Sequence, residues 1–332
     1  MFTIPNTMKK GLIVLSIIAS MLGCSTTEKP PILPVKPLEH ISTVEETTSI
    51  AHQALEIEGS NPEAIQKLED LIATANNKLS SIENTDSREN AKYILTTIGN
   101  AITDAGFSNE KEFLLSEGLN KKRLDCDLRT QIYLEIARPK GLDIYAAFAP
   151  HHMFLICKIN NDIDLFWETL TNSEKTREYY IKQYTISEIA INNGVYLQPL
   201  SAAQILAHQI AAIGNTYAFV GDSKNAIRYL DKALELNPKN IVVRCNRGLL
   251  LEKPEEKYEE ALQDFNIVIA LDPYEIEAKF HRATTLLYLK RIDEGLKADK
   301  EAKLLYKLLY PDKKKEDTDT PQHNTPNLKE NR

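Results

Sequence analysis

The chain has 332 residues, 40 of them Lys or Arg against 47 Asp or Glu, for a net charge of −7. That balance presents no basic field to a polyanion, so nucleic acid is excluded as a partner. A hydrophobic content of 42% excludes a chain that is disordered throughout. Past the N-terminal segment, no stretch has the roughly 20 apolar residues that a membrane-spanning helix needs.

In chain order, the first signal is MFTIPNTMKK followed by GLIVLSIIASMLGC. Lys9 and Lys10 form a basic start, residues 11–22 carry no charge, and Gly23 precedes Cys24. This is the pattern of a secretory signal, too short in its apolar part to span as a mature helix. MLGC resembles a bacterial lipobox, although Met21 and Leu22 stand where leucine and a small residue are usual. The resemblance implies removal of residues 1–23 and a lipid on Cys24, which would tie the chain to a membrane. Ser25 after the cysteine resembles the outer-membrane class, which places the chain at the periplasmic face of that membrane. Residues 24–43 hold Pro30, Pro31, Pro34 and Pro37 and read as an extended tether. Residues 312–332 are polar and are expected not to fold.

Residues 44–80 and 86–105 have apolar positions at helical spacing. Ser60-Asn61-Pro62 is a helix start, with a capping residue before proline, and Gly106 is a helix stop. Asp125-Cys126-Asp127 opens a further helix that Gly141 ends. A helix N-terminus favours a thiolate, and the two flanking acids oppose one. Asp125 and Asp127 read as an N-cap and a first-turn acid. LDIYAAFAP, HHMFLICKI and DIDLFWETL are three strands, the last two joined by a turn at Asn160-Asn161-Asp162. Alternation puts His152, Phe154 and Ile156 on one face and Asp164, Phe166 and Glu168 on one face of the next strand. With the hairpin centred near Asn160, His152 stands directly opposite Glu168. A cysteine nucleophile needs a base, and the base needs a group that fixes its tautomer. Cys126, His152 and Glu168 supply those types. The plain alternatives are a buried thiol at Cys126, a sheet histidine at 152, His151 as the base and Asp164 as the acid. Cys157 lies on the opposite face of its strand from His152, against a disulfide with Cys126.

Residues 85–175 resemble the transglutaminase-like superfamily, a papain-like group with Cys, His and Asp in this order. The features are the cysteine at a helix start, Gly141-Leu142, Pro150-His151-His152 before an apolar strand, and Trp167-Glu168. Glutamate stands where the superfamily has aspartate. The resemblance implies a cysteine hydrolase or acyltransferase acting on an amide in a peptide, a protein or a peptidoglycan stem. No cofactor is expected, and no cluster of residues has the spacing of a metal site.

Pro238 and Pro273 end two segments about one 34-residue period apart. The segments resemble tetratricopeptide repeats (TPR) at Gly214, Tyr217, Ala226, Ala233 and Pro238, then at Gly248, Ala261, Phe265 and Pro273. A third copy is carried by Ala283, Gly295 and Ala302. Cys245 reads as packing. The resemblance implies a groove for a protein or peptide partner. The fold class is therefore α+β: a transglutaminase-like domain over residues 44–198, then a helical TPR solenoid over 199–311. The alternative is a non-catalytic TPR scaffold with a degenerate first domain.

Overall fold

The computed structural model describes Leu38 and residues 49–80, 87–159 and 162–311. The signal segment, Cys24, most of the tether, the Asn160-Asn161 turn and the polar tail lie outside these, as do the side chains of residues 162–164.

Helices α1 (Ile50–Ile57), α2 (Pro62–Lys78) and α3 (Arg88–Asp104) open the chain. Asn61 caps α2 through the Ala64 amide with proline in its first turn, and Gly106, at φ +81°, follows the end of α3. Both signals are local, which is why the sequence carries them. A short α4 (Leu115–Lys121) precedes α5 (Cys126–Ala137). Asp125 caps α5 by accepting from the amides of Asp127 and Leu128, and Gly141 adopts φ +84° after a final tight turn. Helix α5 is buried almost all round, because α1, α2 and α3 cover one side and the sheet covers the other.

The sheet is an antiparallel meander: β1 (Asp143–Ala149), β2 (His152–Ile159), β3 (Asp162–Glu168) and β4 (Ser173–Lys175). Pro150-His151 joins β1 to β2 with His151 at φ +54°, the residue order of a tight turn with a left-handed second position. The face of β2 bearing Met153, Leu155 and Cys157 joins the main core. The other face bears Phe154 and Ile156, which pack with Phe166 and Tyr180. Short helices α6 (Arg177–Gln183) and α7 (Glu188–Asn192) follow. The strand β4 and the helices α4, α6 and α7 have no counterpart in the sequence reading.

The remaining helices pair in sequence: α8 (Ala202–Phe219) with α9 (Ser223–Leu236), α10 (Ile241–Glu252) with α11 (Tyr258–Leu271), and α12 (Ile276–Tyr288) with α13 (Ile292–Leu309). SAAQILAHQIAAI thus begins the first pair, with Ser201 and Gln204 forming a reciprocal cap. Glycines sit where paired helices cross. A Cβ on Gly214 would meet the Ala226 carbonyl at 3.1 Å, and one on Gly248 would meet the Phe265 ring at 2.8 Å. Gly248→Ala is therefore expected to push the fully buried Phe265 ring aside and destabilise the chain by about 1–3 kcal/mol in thermal unfolding. The main core runs continuously from Ile50 through the sheet into α8, α9 and α10, so the two expected domains share one apolar interior.

Candidate functional site

Cys126 is the first residue of α5, a helix that packs against β2. His152 opens β2, and Glu168 ends β3. All three residues stand at element ends. His152 Nε2 and Glu168 Oε2 lie 2.6 Å apart, with both side chains 6% exposed. The other Glu168 oxygen, Oε1, accepts from the Leu170 amide at 3.1 Å. The carboxylate is thus held at both oxygens, and it in turn fixes one nitrogen of the imidazole. The Tyr184 ring stacks on His152 with centroids 5.1 Å apart, and Tyr180 lies behind it. His152 and Cys126 both line a cavity of about 680 Å³.

The pairing of His152 with Glu168 differs from the expected one in register. The ladder sets Leu155 against Trp167 and Ile156 against Phe166, with an irregularity at Cys157/Lys158. One further step places Glu168 beside Phe154, so its bond to His152 runs diagonally along the shared face. A diagonal neighbour is within reach of a long side chain, and glutamate has that length. His151 is exposed in the turn and also lines the cavity, without a hydrogen bond among the described residues. Cys157 and Cys245 are buried, and neither they nor Cys126 are in disulfides.

The thiol is not poised as an anion. Burial pushes the Cys126 thiol well above its ordinary range, and the carboxylates of Asp127 and Asp125 push it further, with only the Met153 amide opposing. Burial first, and then the two acids flanking Cys126 in the sequence, hold the thiol protonated at the start of α5. Burial likewise raises Asp125 to about 7, helped by Asp127.

A residue that the local pattern did not disclose completes this region. His208, on α8, donates from Nε2 to Asp127 Oδ2 at 2.8 Å, and Cys126 Sγ donates to Asp127 Oδ1 at 3.4 Å. Its partner carboxylate raises the His208 imidazole despite burial, while Asp127 is held down at about 2 by the imidazolium against its own burial. The histidine contribution is present in full below its ordinary 6.5 and fades as pH rises through the raised folded value. The aspartate contribution is present above 3.8 and fades as pH falls toward about 2. The pair thus stabilises most between those ordinary values. His208→Ala is expected to lower the melting temperature more at about pH 5.5 than at about pH 9, the difference shrinking as His208 loses its proton.

The cavity is walled on its far side by the first helices of the helical pairs. Asn215 of α8 and Asn246 of α10 line it and are hydrogen-bonded to each other at 3.1 Å. A tetratricopeptide-repeat family profile matches residues 210–240. The C-terminal helical pairs form a TPR region. Human serine/threonine-protein phosphatase 5 is 30% identical over 118 residues, covering 32% of this chain and 23% of the relative. The rat protein of the same name is 31% identical over 110 residues, 30% of this chain and 22% of the relative. The chain therefore spans less than a quarter of the length of these curated relatives. Among solved structures, MamA MSR-1 C2 aligns over 75% of this chain and 99% of its own at 15% identity, with a TM-score of 0.32. Among the described residues, no group of three or more His, Cys, Asp or Glu is arranged to hold a metal, and no helix is long and apolar enough to cross a membrane.

Proposed function

We propose that this chain is a cysteine-dependent amide hydrolase or acyltransferase of the transglutaminase-like type, with a TPR array that receives a protein or peptide. The 2.6 Å contact between His152 Nε2 and Glu168 Oε2, with His152 lining the same cavity as Cys126, carries this reading. Glu168 fixes the proton on Nε2, which leaves Nδ1 unprotonated and without a hydrogen bond among the described residues. The raised thiol means that Cys126 rests protonated. His152 then acts as a general base during attack and does not form a resting ion pair. Sulfur attacks the amide carbonyl as Nδ1 takes the thiol proton. The same imidazole returns that proton to the leaving amine, giving a thioester on Cys126. Water or an acceptor amine resolves the thioester. The Cys126 amide, at the start of α5 and without an acceptor among the described residues, is placed to donate to the developing oxyanion. A lipid on Cys24 would hold this machinery at the periplasmic face of the outer membrane, with residues 24–43 as the tether.

The test is acylation by p-nitrophenyl acetate, with the label located by mass spectrometry. The proposal expects an acetyl group on Cys126 that forms more slowly in His152→Ala and is absent from Cys126→Ala. Equal labelling of wild type and His152→Ala would end the catalytic reading. The raised thiol and the TPR region would then favour a non-catalytic scaffold that binds a protein partner through the array.

A further inference from the structure

Helix α8 opens the TPR region, yet one of its side chains reaches Asp127, the residue next to the cysteine. The adjacent residue, Gln209, is fully buried and already docks α8 onto the first module: it accepts from Gln131 Nε2 at 3.1 Å and donates to Glu58. His208 is not needed for that docking. Its side chain is 25% exposed, lines the cavity and packs on Phe148 with centroids 5.5 Å apart. Asp127 bridges it to the thiol, one oxygen to each. Two carboxylate–imidazole pairs therefore flank the cavity that Cys126 lines. Glu168 with His152 forms one, and Asp127 with His208 forms the other.

We propose that His208, supplied by the first helix of the repeat array, is a positioning residue of the cysteine site: it holds the Asp127 carboxylate against the thiol and so sets the reactivity of Cys126. The physical route is charge. Asp127 beside the thiol opposes ionisation of sulfur, and a protonated His208 offsets that opposition. Loss of the histidine leaves Asp127 as an uncompensated anion on the nucleophile. Asp125, Lys111, His152 and Tyr184 are the other titratable groups acting on these three residues; of these, Asp125 also feels the His208 charge, so a change at 208 reaches the thiol chiefly through Asp127 and in smaller part through Asp125. The TPR array is then part of the reaction centre, and a partner that shifts α8 would alter Cys126 directly. The inference deepens the proposed cysteine chemistry, but its test reads the thiol and needs no turnover.

The experiment is iodoacetamide alkylation of Cys126 in the full chain across a pH series, followed peptide by peptide so that Cys24, Cys157 and Cys245 do not contribute. The thiolate is the reacting species, so below the midpoint a curve displaced by about one pH unit alters the rate about tenfold. Asp127→Asn is expected to move the curve to lower pH by about that much. His208→Leu is expected to slow alkylation by a similar factor over the pH range in which His208 is protonated, with the two curves converging toward about pH 9 as wild type loses that charge, and His208→Gln, which keeps a donor but loses the charge, to slow it by less. The double variant Asp127→Asn with His208→Leu is expected to lie much closer to Asp127→Asn alone than His208→Leu lies to wild type, because His208 acts chiefly through Asp127. A His208→Leu curve that superposes on wild type overturns the proposal, as does an undiminished His208 effect in the Asp127→Asn background. Should His208→Leu fail to fold, an unmoved His208→Gln curve overturns it equally. These displacements without acetylation of Cys126 would sink the proposed activity and leave this inference standing; acetylation without them would do the reverse.

Discussion

Glu168→Gln is expected to slow acylation of Cys126 by about 10³–10⁴-fold while leaving the chain folded, the scale on which a triad loses activity when its histidine is held in the wrong tautomer. The reason lies in two donors that share one carboxylate. Glu168 accepts from the Leu170 amide at one oxygen and meets His152 Nε2 at the other. Glutamine has a single oxygen. If that oxygen stays with the Leu170 amide, the side-chain NH₂ faces Nε2, which must then accept. The imidazole proton moves to Nδ1, and His152 can no longer take the thiol proton. Acetyl labelling of Cys126 with p-nitrophenyl acetate checks the rate, and circular dichroism checks the fold. Labelling at the wild-type rate would mean that Glu168 is a structural partner of His152 and no more.

Glu58→Ala is expected to be among the most damaging single changes, at about 3–5 kcal/mol. Glu58 is 2% exposed at the end of α1. Its two oxygens accept from the amides of Leu115 and Ser116, both at 2.8 Å, and from the Gln209 side chain. Alanine strands three donors in a dry interior and releases α8 from the first module. For a chain of this size the loss corresponds to a fall in melting temperature on the order of 10 °C. Thermal unfolding followed at 222 nm checks it, and a fall of only a degree or two would show that water takes over the donors. The same loosening should weaken the His208–Asp127 contact, since residues 208 and 209 move together on one helix.

Several features could be read directly because their causes are local. Asn61-Pro62, Gly106 and Gly141 mark helix ends through capping and left-handed backbone, which depend on the residues themselves and their nearest neighbours. Alternation along β2 separated Cys157 from His152 without knowledge of what each face meets. The repeat declared itself through Gly214, Gly248, Pro238 and Pro273, because each copy solves the same packing problem with the same small residue at a crossing. The short elements α4, α6, α7 and β4 carry no comparable signal, since so few residues form a period only when the surrounding core holds them.

The sequence by itself therefore determined the order of the longer helices and of three strands, the approximate faces of the hairpin, the repeat, and the presence of a cysteine, a histidine and an acid in that order. Only the tertiary structure decided where those residues stand. The ladder's register, offset at the turn and shifted again at Cys157/Lys158, made the His152–Glu168 contact diagonal. Desolvation and two acids, acting together in space, outweighed the helix dipole at Cys126. Helix α8 brought His208 to Asp127, and Glu58 locked that helix in place. Each of these rests on contacts between residues far apart in the chain, whose energies depend on distance and burial, and no local pattern records either.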